Sequence, residues 1–486
     1  MTNAMNQEKT YTSNLIAKGI CVATVIICSG IFLSFVWNNN VWMDEAFTAS
    51  LVNTSYLGVL YRSMMDTLPP LYNLYLKTMT VVFGYTIPVM KISSVIPMIL
   101  TLVLGMTTVR KRFGLKIAVL FDMLITFMPL MIYFGVEIRM YSLGFFFATA
   151  SGVYAYELVS DYSEKNLRLF VLFSTLAGYS HHFAFVTVGF VFLFLLLYYI
   201  FFEKENIKRW FWCLIFTILF YLPCMVVTIK QLGNVSGYFS MPDVDIHMFI
   251  QYVVYPYMVG KLSGSVICMA LMGAALVIFA AGFISKKGRD KESIYAFLCF
   301  AVYYGVLIFG TIISKIMTAN IFVDRYLFFA TGLLWLFAAI TFGKSHRYIY
   351  IAALCATLFV GVCVYMVEYK TEYSNSADEE IAVLRENVKE GDAFLGLGGH
   401  EELENCIPFY SMVDKDTKEL LVVRSLDKAL TYLEEHPENA VFIGVFPDYE
   451  FTGEDISNMS LHGVNPEKIA DFDFDRYTCE LYMIKK

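Results

Sequence analysis

Long apolar runs recur over the first three quarters of the chain. From residue 15 to about residue 368, runs of about 20 mostly apolar residues alternate with short polar connections. A run of this length crosses a hydrocarbon core about 30 Å thick as an α-helix. The pattern therefore predicts an all-α polytopic membrane domain over residues 1–368.

The remainder of the chain, residues 369–486, follows a different pattern. Short apolar runs alternate there with amphipathic stretches, and the final run alternates residue by residue like a strand. The predicted strands are 393–395, 420–423, 441–446 and 479–484, and the predicted helices are 377–388 and 426–435. This alternation predicts a small C-terminal α/β domain.

Composition and charge separate the same two regions. Of 486 residues, 58% are hydrophobic and only 16% charged, which excludes an ordinary soluble globular protein. Residues 370–486 carry 26 of the 43 acidic and 11 of the 36 basic residues, a net charge of −15 against +8 for the rest. We predict membrane lipid as a partner and no nucleic-acid partner.

The short connections between apolar runs are rich in Lys and Arg. These connections and the N-terminus hold 17 Lys and Arg residues, whereas the intervening, longer connections hold eight. The basic sites are Lys9 with Lys18, 110–116, 165–168, 204–209, 286–291 and 344–347. Because basic loops stay in the cytoplasm, we expect a cytoplasmic N-terminus and an extracytoplasmic C-terminal domain.

This placement predicts about eleven membrane spans. They are 15–37, 88–109, 115–135, 140–159, 167–180, 182–202, 209–229, 264–285, 292–314, 325–343 and 347–368. The stretch 69–86 is shorter and contains Lys77, so we predict a helix on or dipping into the outer surface. The alternative is a twelfth span, which would move Arg110 to Arg112 to the outside.

Ten cysteines show no spacing typical of a metal site, and eight of them lie in apolar runs as small core residues. Cys406 and Cys479 lie in the C-terminal region. A disulfide between these two residues is one alternative and two free thiols are the other.

Charged motifs beside the apolar runs all fall on one predicted side of the membrane. The first outer loop, 38–87, carries an acidic pair and a further aspartate, and three later span ends carry the rest. The residues are Asp44, Glu45, Asp66, Glu137, Arg139, His181, His182, Asp324 and Arg325. Nothing in the loop-charge count required these motifs to converge, so their convergence predicts an active site at the outer face.

The adjacent acids Asp44 and Glu45 point about 100° apart on a helix, so both cannot face one reacting atom. One could accept a proton from a substrate hydroxyl, and the other could hold a cation, a backbone group or a metal. The alternative is that both are merely acids at a helix start, where the helix dipole favours them.

The pattern Glu137-x-Arg139-x-Tyr141 places charges between two apolar runs, where each costs about 2.5–3.5 kcal/mol. Asp324-Arg325 repeats it before a later run. Arginines near aromatic residues suit bidentate binding of a lipid phosphate, and an internal Glu–Arg pair that ties spans together is the alternative. His181 and His182 either contact the substrate or cap a helix.

Five short motifs occur in an order that is similar to a known family. They are Asp44-Glu45, Asp66-x-x-Pro69-Pro70-Leu71-Tyr72, Glu137-Ile138-Arg139-Met140-Tyr141-Ser142, His181-His182-Phe183-Ala184 and Arg325-Tyr326-Leu327. Over about residues 15–345 the set resembles the C-type integral-membrane glycosyltransferases. The likeness is to bacterial relatives of protein O-mannosyltransferases and of the lipid A aminoarabinose transferase.

This resemblance implies inverting transfer of a hexosyl or pentosyl group from a polyprenyl-phosphate carrier to a hydroxyl acceptor. Asp44 would be the catalytic base, supported by Glu45, with Asp66 near the acceptor. Arg139 and Arg325 would neutralise the leaving lipid phosphate, and His181 or His182 would line the same cavity. The acceptor, which could be a glycan, a lipid or a protein, is left open.

The chain departs from the family before Pro69-Pro70. Many relatives carry a histidine where this chain has Asp66 or Leu68, and some bind a divalent metal through such residues. Metal dependence stays open, and we expect that no cofactor is required.

Two other functions compete with sugar transfer from polyprenyl phosphate. A glycan polymerase or ligase that uses lipid-diphosphate oligosaccharides would be expected to carry arginines in a late outer loop, and 231–261 contains none. A lipid or glycan transporter would be expected to show internal repeats, and the sequence shows none.

Overall fold

The computed structural model describes most of the chain. The exceptions are residues 1, 239–243, 286–289, 317–320, 375–376, 398–400, 414–419, 448 and 475–476, and the side chains of 2–14, 232–238, 401–402, 474 and 477. The predicted basic site at 286–291 therefore lies largely outside the described residues.

The first 374 residues form helices in the part that the structure describes. They are α1 Thr2–Leu33, α2 Met43–Val52, α3 Tyr56–Met65, α4 Leu71–Phe83, α5 Ile87–Leu104, α6 Arg110–Phe113, α7 Leu115–Phe127, α8 Met131–Val136, α9 Tyr141–Ser160, α10 Glu164–Ser180, α11 His182–Phe202, α12 Ile207–Tyr238, α13 Ile246–Val254, α14 Leu262–Ile284, α15 Lys291–Ile316, α16 Phe328–Gly343 and α17 Arg347–Ser374. A π-helical segment, Gly105–Val109, joins α5 to α6, and short 3₁₀ turns lie at Lys204–Asn206, Tyr255–Tyr257 and Asp324–Leu327.

Every predicted span corresponds to a helix, but the helices differ in their ability to cross a membrane. Within the described residues, eight candidates are long and apolar enough by length and composition. They are Leu15–Leu33, Ile87–Phe113, His182–Phe202, Lys204–Gln231, Leu262–Ile284, Lys291–Ile316, Asp324–Gly343 and Arg347–Asn387. The helices at the other three predicted spans, α7, α9 and α10, do not meet that criterion. The chain is thus a multi-pass membrane protein, and its span number stays a prediction.

The predicted span 115–135 is divided into two helices. α7 ends at Phe127, and Met128 adopts an extended conformation because a residue before proline is disfavoured in the helical region. Leu130 then takes a positive φ of 72° before α8 begins. The second of these two helices, α8, leads directly into the Glu137–Arg139 turn.

Helix α16 lies at the centre of the helical packing. Every residue from Phe328 to Phe342 is buried, and the helix packs against α7, α9 and α15. Its approach to α9 is close, since a Cβ at Gly332 would come within 2.0 Å of the Thr149 hydroxyl oxygen. This approach places the beginnings of α9 and α16 in the same part of the bundle.

The chain separates into two compact units. The helical unit consists of 1–34, 57–75 and 92–368, and the mixed unit consists of 35–56, 76–91 and 369–486. Two segments from within 1–368 therefore fold with the C-terminal region. The domain boundaries predicted from the sequence do not include this exchange.

The mixed unit contains a five-stranded sheet with helices. After α17 come α18 Asp378–Asn387, β1 Ala393–Leu397, α19 Glu401–Met412, β2 Leu421–Val423, α20 Leu426–Glu435, β3 Ala440–Val445, α21 Gly453–Leu461, β4 Glu467–Phe474 and β5 Tyr477–Lys485. The strand order is β2-β1-β3-β5-β4, parallel among the first three and antiparallel between β3, β5 and β4. The predicted α/β composition of this region is confirmed.

All four predicted strands and both predicted helices of the C-terminal region are present. Their apolar residues, including Leu395, Leu430, Ile443 and Ile484, form one buried cluster. The sequence analysis missed α19, α21 and β4. Strand β4 pairs only with β5 among the described strands, and its alternating charges are typical of an edge strand.

Cys406 and Cys479 are separate thiols, and both are buried. Burial, together with the neighbouring Cys406, raises the pKa of the Cys479 thiol to about 12. The thiolate is the reactive form of cysteine, so Cys479 is unreactive at neutral pH.

Candidate functional site

The ten predicted site residues divide between the two compact units. Asp44 and Glu45 belong to the mixed unit. The helical unit holds the other eight, which are Asp66, Glu137, Arg139, Tyr141, His181, His182, Asp324 and Arg325. Each group is described separately below.

A tight turn between α8 and α9 carries Glu137 and Arg139. The Arg139 amide donates to the Glu137 carbonyl at 2.6 Å, which reverses the chain within three residues. Both side chains are buried. Burying two ions costs several kcal/mol unless other polar groups compensate, so this turn indicates a polar site within the helical packing.

A second turn, Asp324–Leu327, carries Arg325 at the beginning of α16. The Asp324 carboxylate accepts a hydrogen bond from the Arg325 amide at 2.7 Å. This bond constrains the turn from which the guanidinium of Arg325 projects. Arg325 is half-buried, so the geometry leaves it accessible to a ligand.

His181 is the N-cap of α11, where its Nδ1 accepts a hydrogen bond from the Phe183 amide at 3.0 Å. Since Nδ1 accepts, the neutral ring carries its proton on Nε2. Burial lowers the pKa of His181 well below its usual value, and His182 and the two arginines lower it further. The side chain is only 2% exposed, so it is a neutral imidazole inside the protein.

The Nε2–H group of His181 makes no hydrogen bond within the described residues. Its ring packs against Tyr326 and Phe329, with centroid separations of 4.7 and 4.5 Å. The rings hold the imidazole in place without using its donor. The buried donor is therefore available to an acceptor on a ligand.

Tyr141, the first residue of α9, contributes a second such group. Its ring lies against Phe134 and Phe329, at 4.7 and 5.9 Å between centroids. Arg139 and Arg325 are within electrostatic range, and the hydroxyl is buried without a hydrogen-bond partner in the described chain. Two arginines and two neutral donors thus share one neighbourhood, which suits an anion.

Tyr255 lies in the same neighbourhood and was missed by the sequence analysis. Burial raises its pKa well above the usual value, and nearby Asp324 and Glu137 raise it further, while Arg325 lowers it. The hydroxyl therefore remains a donor at neutral pH. The run Tyr255-Pro256-Tyr257 in the connection between two predicted spans was the signal that could have identified it.

Gln231, which was not predicted as a site residue, links His182 to the loop 63–68 that contains Asp66. The His182 Nε2 lies 3.1 Å from the Gln231 amide oxygen. The Gln231 amide nitrogen donates to the carbonyls of Ser63 and Leu68 at 2.9 and 2.8 Å. His182 thus helps hold the loop of Asp66 within the helical unit.

Asp44 and Glu45 lie in the first turn of α2, and the structure gives them different surroundings. The Glu45 carboxylate accepts from the Trp42 amide at 3.1 Å and so caps the helix. Asp44 is half-buried, whereas Glu45 is buried. Glu45 therefore stabilises the helix start, and Asp44 is the more accessible carboxylate.

Among the described residues, no group of three or more His, Cys, Asp or Glu side chains is arranged to hold a metal ion. The carboxylates and imidazoles of the predicted site therefore do not form a three-ligand set.

An apolar pocket lies elsewhere in the helical unit. Its lining includes Gly152, Leu195, Tyr295 and Leu333, and none of the ten predicted site residues. Along α9, Gly152 is eleven residues from Tyr141, or about 16 Å at 1.5 Å per residue. The pocket is separate from the arginine turns.

No protein-family model matches the chain, and no curated protein matches it either. The fold nevertheless resembles solved structures of C-type membrane glycosyltransferases. The apo crystal structure of ArnT, the aminoarabinose transferase from Cupriavidus metallidurans, gives a TM-score of 0.67 at 9% identity. It covers 96% of this chain and 98% of that chain.

The structure of the same transferase bound to undecaprenyl phosphate gives a TM-score of 0.65 at 9% identity, over 96% of this chain and 97% of that chain. The Archaeoglobus fulgidus oligosaccharyltransferase complex with Zn and sulfate gives a TM-score of 0.45 at 10% identity. The match covers 86% of this chain and 67% of that chain. That last similarity is too low to support an inference. The predicted resemblance to C-type glycosyltransferases is confirmed at the level of the fold.

Proposed function

We propose that this protein transfers a hexosyl or pentosyl group from a polyprenyl-phosphate carrier to a hydroxyl acceptor, with inversion at the anomeric carbon. The supporting observation is the neighbourhood of Arg139, Arg325, His181 and Tyr141, in which cationic and neutral donors suit a phosphate. The shared fold with a transferase bound to undecaprenyl phosphate is consistent with it.

In this reaction the acceptor oxygen attacks the anomeric carbon, and the bond from that carbon to the phosphate oxygen breaks. Asp44 takes the proton of the acceptor hydroxyl. The bonding electrons leave with the phosphate oxygen, so the carrier departs as polyprenyl phosphate with one additional negative charge. Donors that are in place before the bond breaks stabilise that charge most effectively.

The remaining residues have supporting roles in the proposal. Arg139 and Arg325 bind the phosphate, and His181 and Tyr141 donate to its oxygens. Glu137 and Asp324 orient the turns that carry the arginines. Since Glu45 caps α2 and His182 bonds to Gln231, we assign them to positioning, and we place Asp66 near the acceptor.

We propose that the reaction takes place at the outer face of the plasma membrane, as part of cell-envelope glycosylation. The N-terminus would be cytoplasmic and the region 369–486 extracytoplasmic, because the basic connections favour this orientation. The acceptor would be a glycan, a lipid or a protein hydroxyl. We propose no metal requirement, so activity should survive treatment with EDTA.

The test is a reconstituted transfer assay with polyprenyl-phosphate sugars and a panel of hydroxyl acceptors. Asp44→Asn should lower turnover at least about a hundredfold, because general-base assistance contributes about 10²–10⁴-fold. Binding of polyprenyl phosphate should be unchanged. Asp427→Asn, at an exposed aspartate of α20, is the matched control and should retain full turnover.

Two outcomes would contradict the proposal. Full turnover of Asp44→Asn would mean that another group accepts the proton. Transfer from lipid-diphosphate oligosaccharides alone would replace the proposed donor with that of a polymerase or ligase.

A further inference from the structure

The backbone that leads into Asp44 is held by a buried tyrosine from the C-terminal region of the mixed unit. Tyr410 of α19 is 1% exposed. Its hydroxyl accepts from the Val41 amide at 2.7 Å and lies 2.9 Å from the Val41 carbonyl, to which it donates. One phenol thus satisfies both backbone groups of a residue three positions before Asp44.

The Tyr410 hydroxyl keeps its proton. Burial raises its pKa well above the usual value, and the neighbouring Cys406 raises it further. A phenol that stays protonated is a permanent donor to the Val41 carbonyl. The contact therefore does not weaken over the working pH range.

A second anchor precedes the first by three residues. The Lys91 ammonium, on a side chain 2% exposed, donates to the Asn38 carbonyl at 3.1 Å and to the Asn38 side-chain oxygen. The Asn38 side-chain amide donates to the Glu372 carboxylate at 2.9 Å. The same carboxylate lies 3.8 Å from the Lys91 ammonium. The ion pair between buried Lys91 and half-buried Glu372, together with Asn38, thus fixes the beginning of the segment.

The residues between the two anchors are held as well. The side-chain amide of Asn39 donates to the Asp378 carboxylate. The side-chain amide of Asn40 donates to the backbone carbonyl of Glu372 at 2.9 Å. In return, the Asn40 side-chain oxygen accepts from the Ala377 amide at 3.0 Å. Four consecutive residues, 38–41, therefore bond to groups outside their own segment.

The anchored segment leads directly into α2. Trp42 is the N-cap, and Asp44 follows two residues later in the first helical turn. Helix α2 also packs against α19, the helix of Tyr410. An unsupported segment of this length would sample many conformations, and ordering it would cost conformational entropy. The anchors remove that freedom before the ligand arrives.

We propose that Tyr410 is a positioning residue for Asp44, and that the C-terminal region acts as a clamp on the segment 38–41. This inference rests on the proposed function, in which Asp44 accepts the acceptor's proton. Misplacing a catalytic group by about 1 Å can cost about a hundredfold in rate. Loss of the clamp should therefore reduce turnover without weakening carrier binding.

The test variant is Tyr410→Phe in the full-length protein in lipid nanodiscs. It keeps the aromatic ring, which packs against Phe409 at 5.6 Å between centroids, and removes both bonds to Val41. The matched control is Tyr432→Phe, which removes another phenol of the mixed unit, one that donates to the Gly391 carbonyl. Lys91→Met tests the second anchor without using Tyr410.

Two readouts separate positioning from a general structural role. Hydrogen–deuterium exchange of the Val41 amide should become at least about tenfold faster in Tyr410→Phe and stay unchanged in Tyr432→Phe, because only the former removes its acceptor. The kcat should fall about tenfold to a hundredfold, with an unchanged KM for the carrier. Lys91→Met should loosen the same segment from its other end.

The outcomes distinguish this inference from the proposed function. If the wild type is active and Tyr410→Phe has the same kcat, the proposed role of Tyr410 as a clamp is wrong. An exchange rate of the Val41 amide that Tyr410→Phe leaves unchanged would have the same consequence. A fall in melting temperature with unchanged Val41 exchange would assign Tyr410 a general structural role instead. A wild type that transfers no sugar from any donor would overturn the proposed function. The exchange rate would then still decide whether Tyr410 anchors this segment.

Discussion

The helical unit and the mixed unit hold their charged residues in different ways. In the helical unit, Glu137 and Arg139 are buried in a turn between helices, and aromatic rings hold His181 beside them. In the mixed unit, Asp44 is half-buried, and the contacts that constrain it act on the backbone before it. The buried charges of the helical unit suit the binding of an anion in a preorganised site. The half-buried carboxylate of the mixed unit suits proton transfer from an incoming hydroxyl.

The difference also concerns how each arrangement would fail. A buried ionic group that loses its partner is costly, so damage to the helical unit should weaken both ligand binding and the fold. Asp44 is a half-buried carboxylate on a constrained segment, so damage to that segment should lower the turnover rate before it lowers stability or ligand binding. The predictions below test this contrast, in order of decreasing expected effect.

Among the variants of the helical unit, the largest effect is expected from the two arginines. Arg139→Ala and Arg325→Ala should each weaken polyprenyl-phosphate binding about 10- to 100-fold, because a charge-assisted hydrogen bond contributes about 1.5–3 kcal/mol. Binding can be measured by fluorescence titration in detergent. Arg168→Ala is the control, since Arg168 is exposed and pairs only with exposed Glu164 in the described structure. Unchanged affinity in both variants would leave the arginines as ties between helices.

A smaller effect is expected from the bonds that hold the Asp66 loop. Gln231→Ala removes both donors to the Ser63 and Leu68 carbonyls, and each carbonyl left without a partner costs about 1–3 kcal/mol. The apparent melting temperature in detergent should fall clearly. Gln251→Ala, at an exposed glutamine of α13, should leave it unchanged. Equal stability of the two variants would show that water replaces the lost bonds.

The smallest effect is expected from the titration of His181. Its pKa is lowered in the folded protein, so below about pH 6.5 the unfolded chain binds a proton that the folded chain does not. The contribution of His181 to stability is therefore complete above that pH and declines as the pH falls. His181→Asn keeps an acceptor for the Phe183 amide and should reduce this decline. Melting temperatures between pH 5 and 8 provide the measurement, and an identical pH profile for both proteins would refute the assignment.

Much of the architecture followed from patterns within a few turns of the chain. Apolar runs predicted the helices, and alternation predicted four strands of the mixed unit. The predicted span 115–135 was wrong in its continuity, because Pro129 and the positive φ of Leu130 break the helix. Proline at 129 was visible in the sequence and was the signal for that break.

Candidate site residues were predicted where a charge interrupts an apolar run, and residues without that signal were not predicted. Gln231 is uncharged and lies at the end of a long helix, and its partners are 49 to 168 residues away. Tyr410 is one of 33 tyrosines, and its partner Val41 is 369 residues away. Nothing local distinguishes either residue from an ordinary member of its helix.

The sequence alone determined most of the helical and extended segments. It also determined which charges lie beside apolar runs, where burying a charge costs free energy. Hydrophobic periodicity and the desolvation of a charge act over a few residues, so both can be inferred from the chain in order. The tertiary structure decided which partner each polar group meets, including the anchoring of 38–41 by Lys91, Glu372 and Tyr410. Such pairings depend on closing loops of hundreds of residues, and only the packing of the whole fold selects among the alternatives.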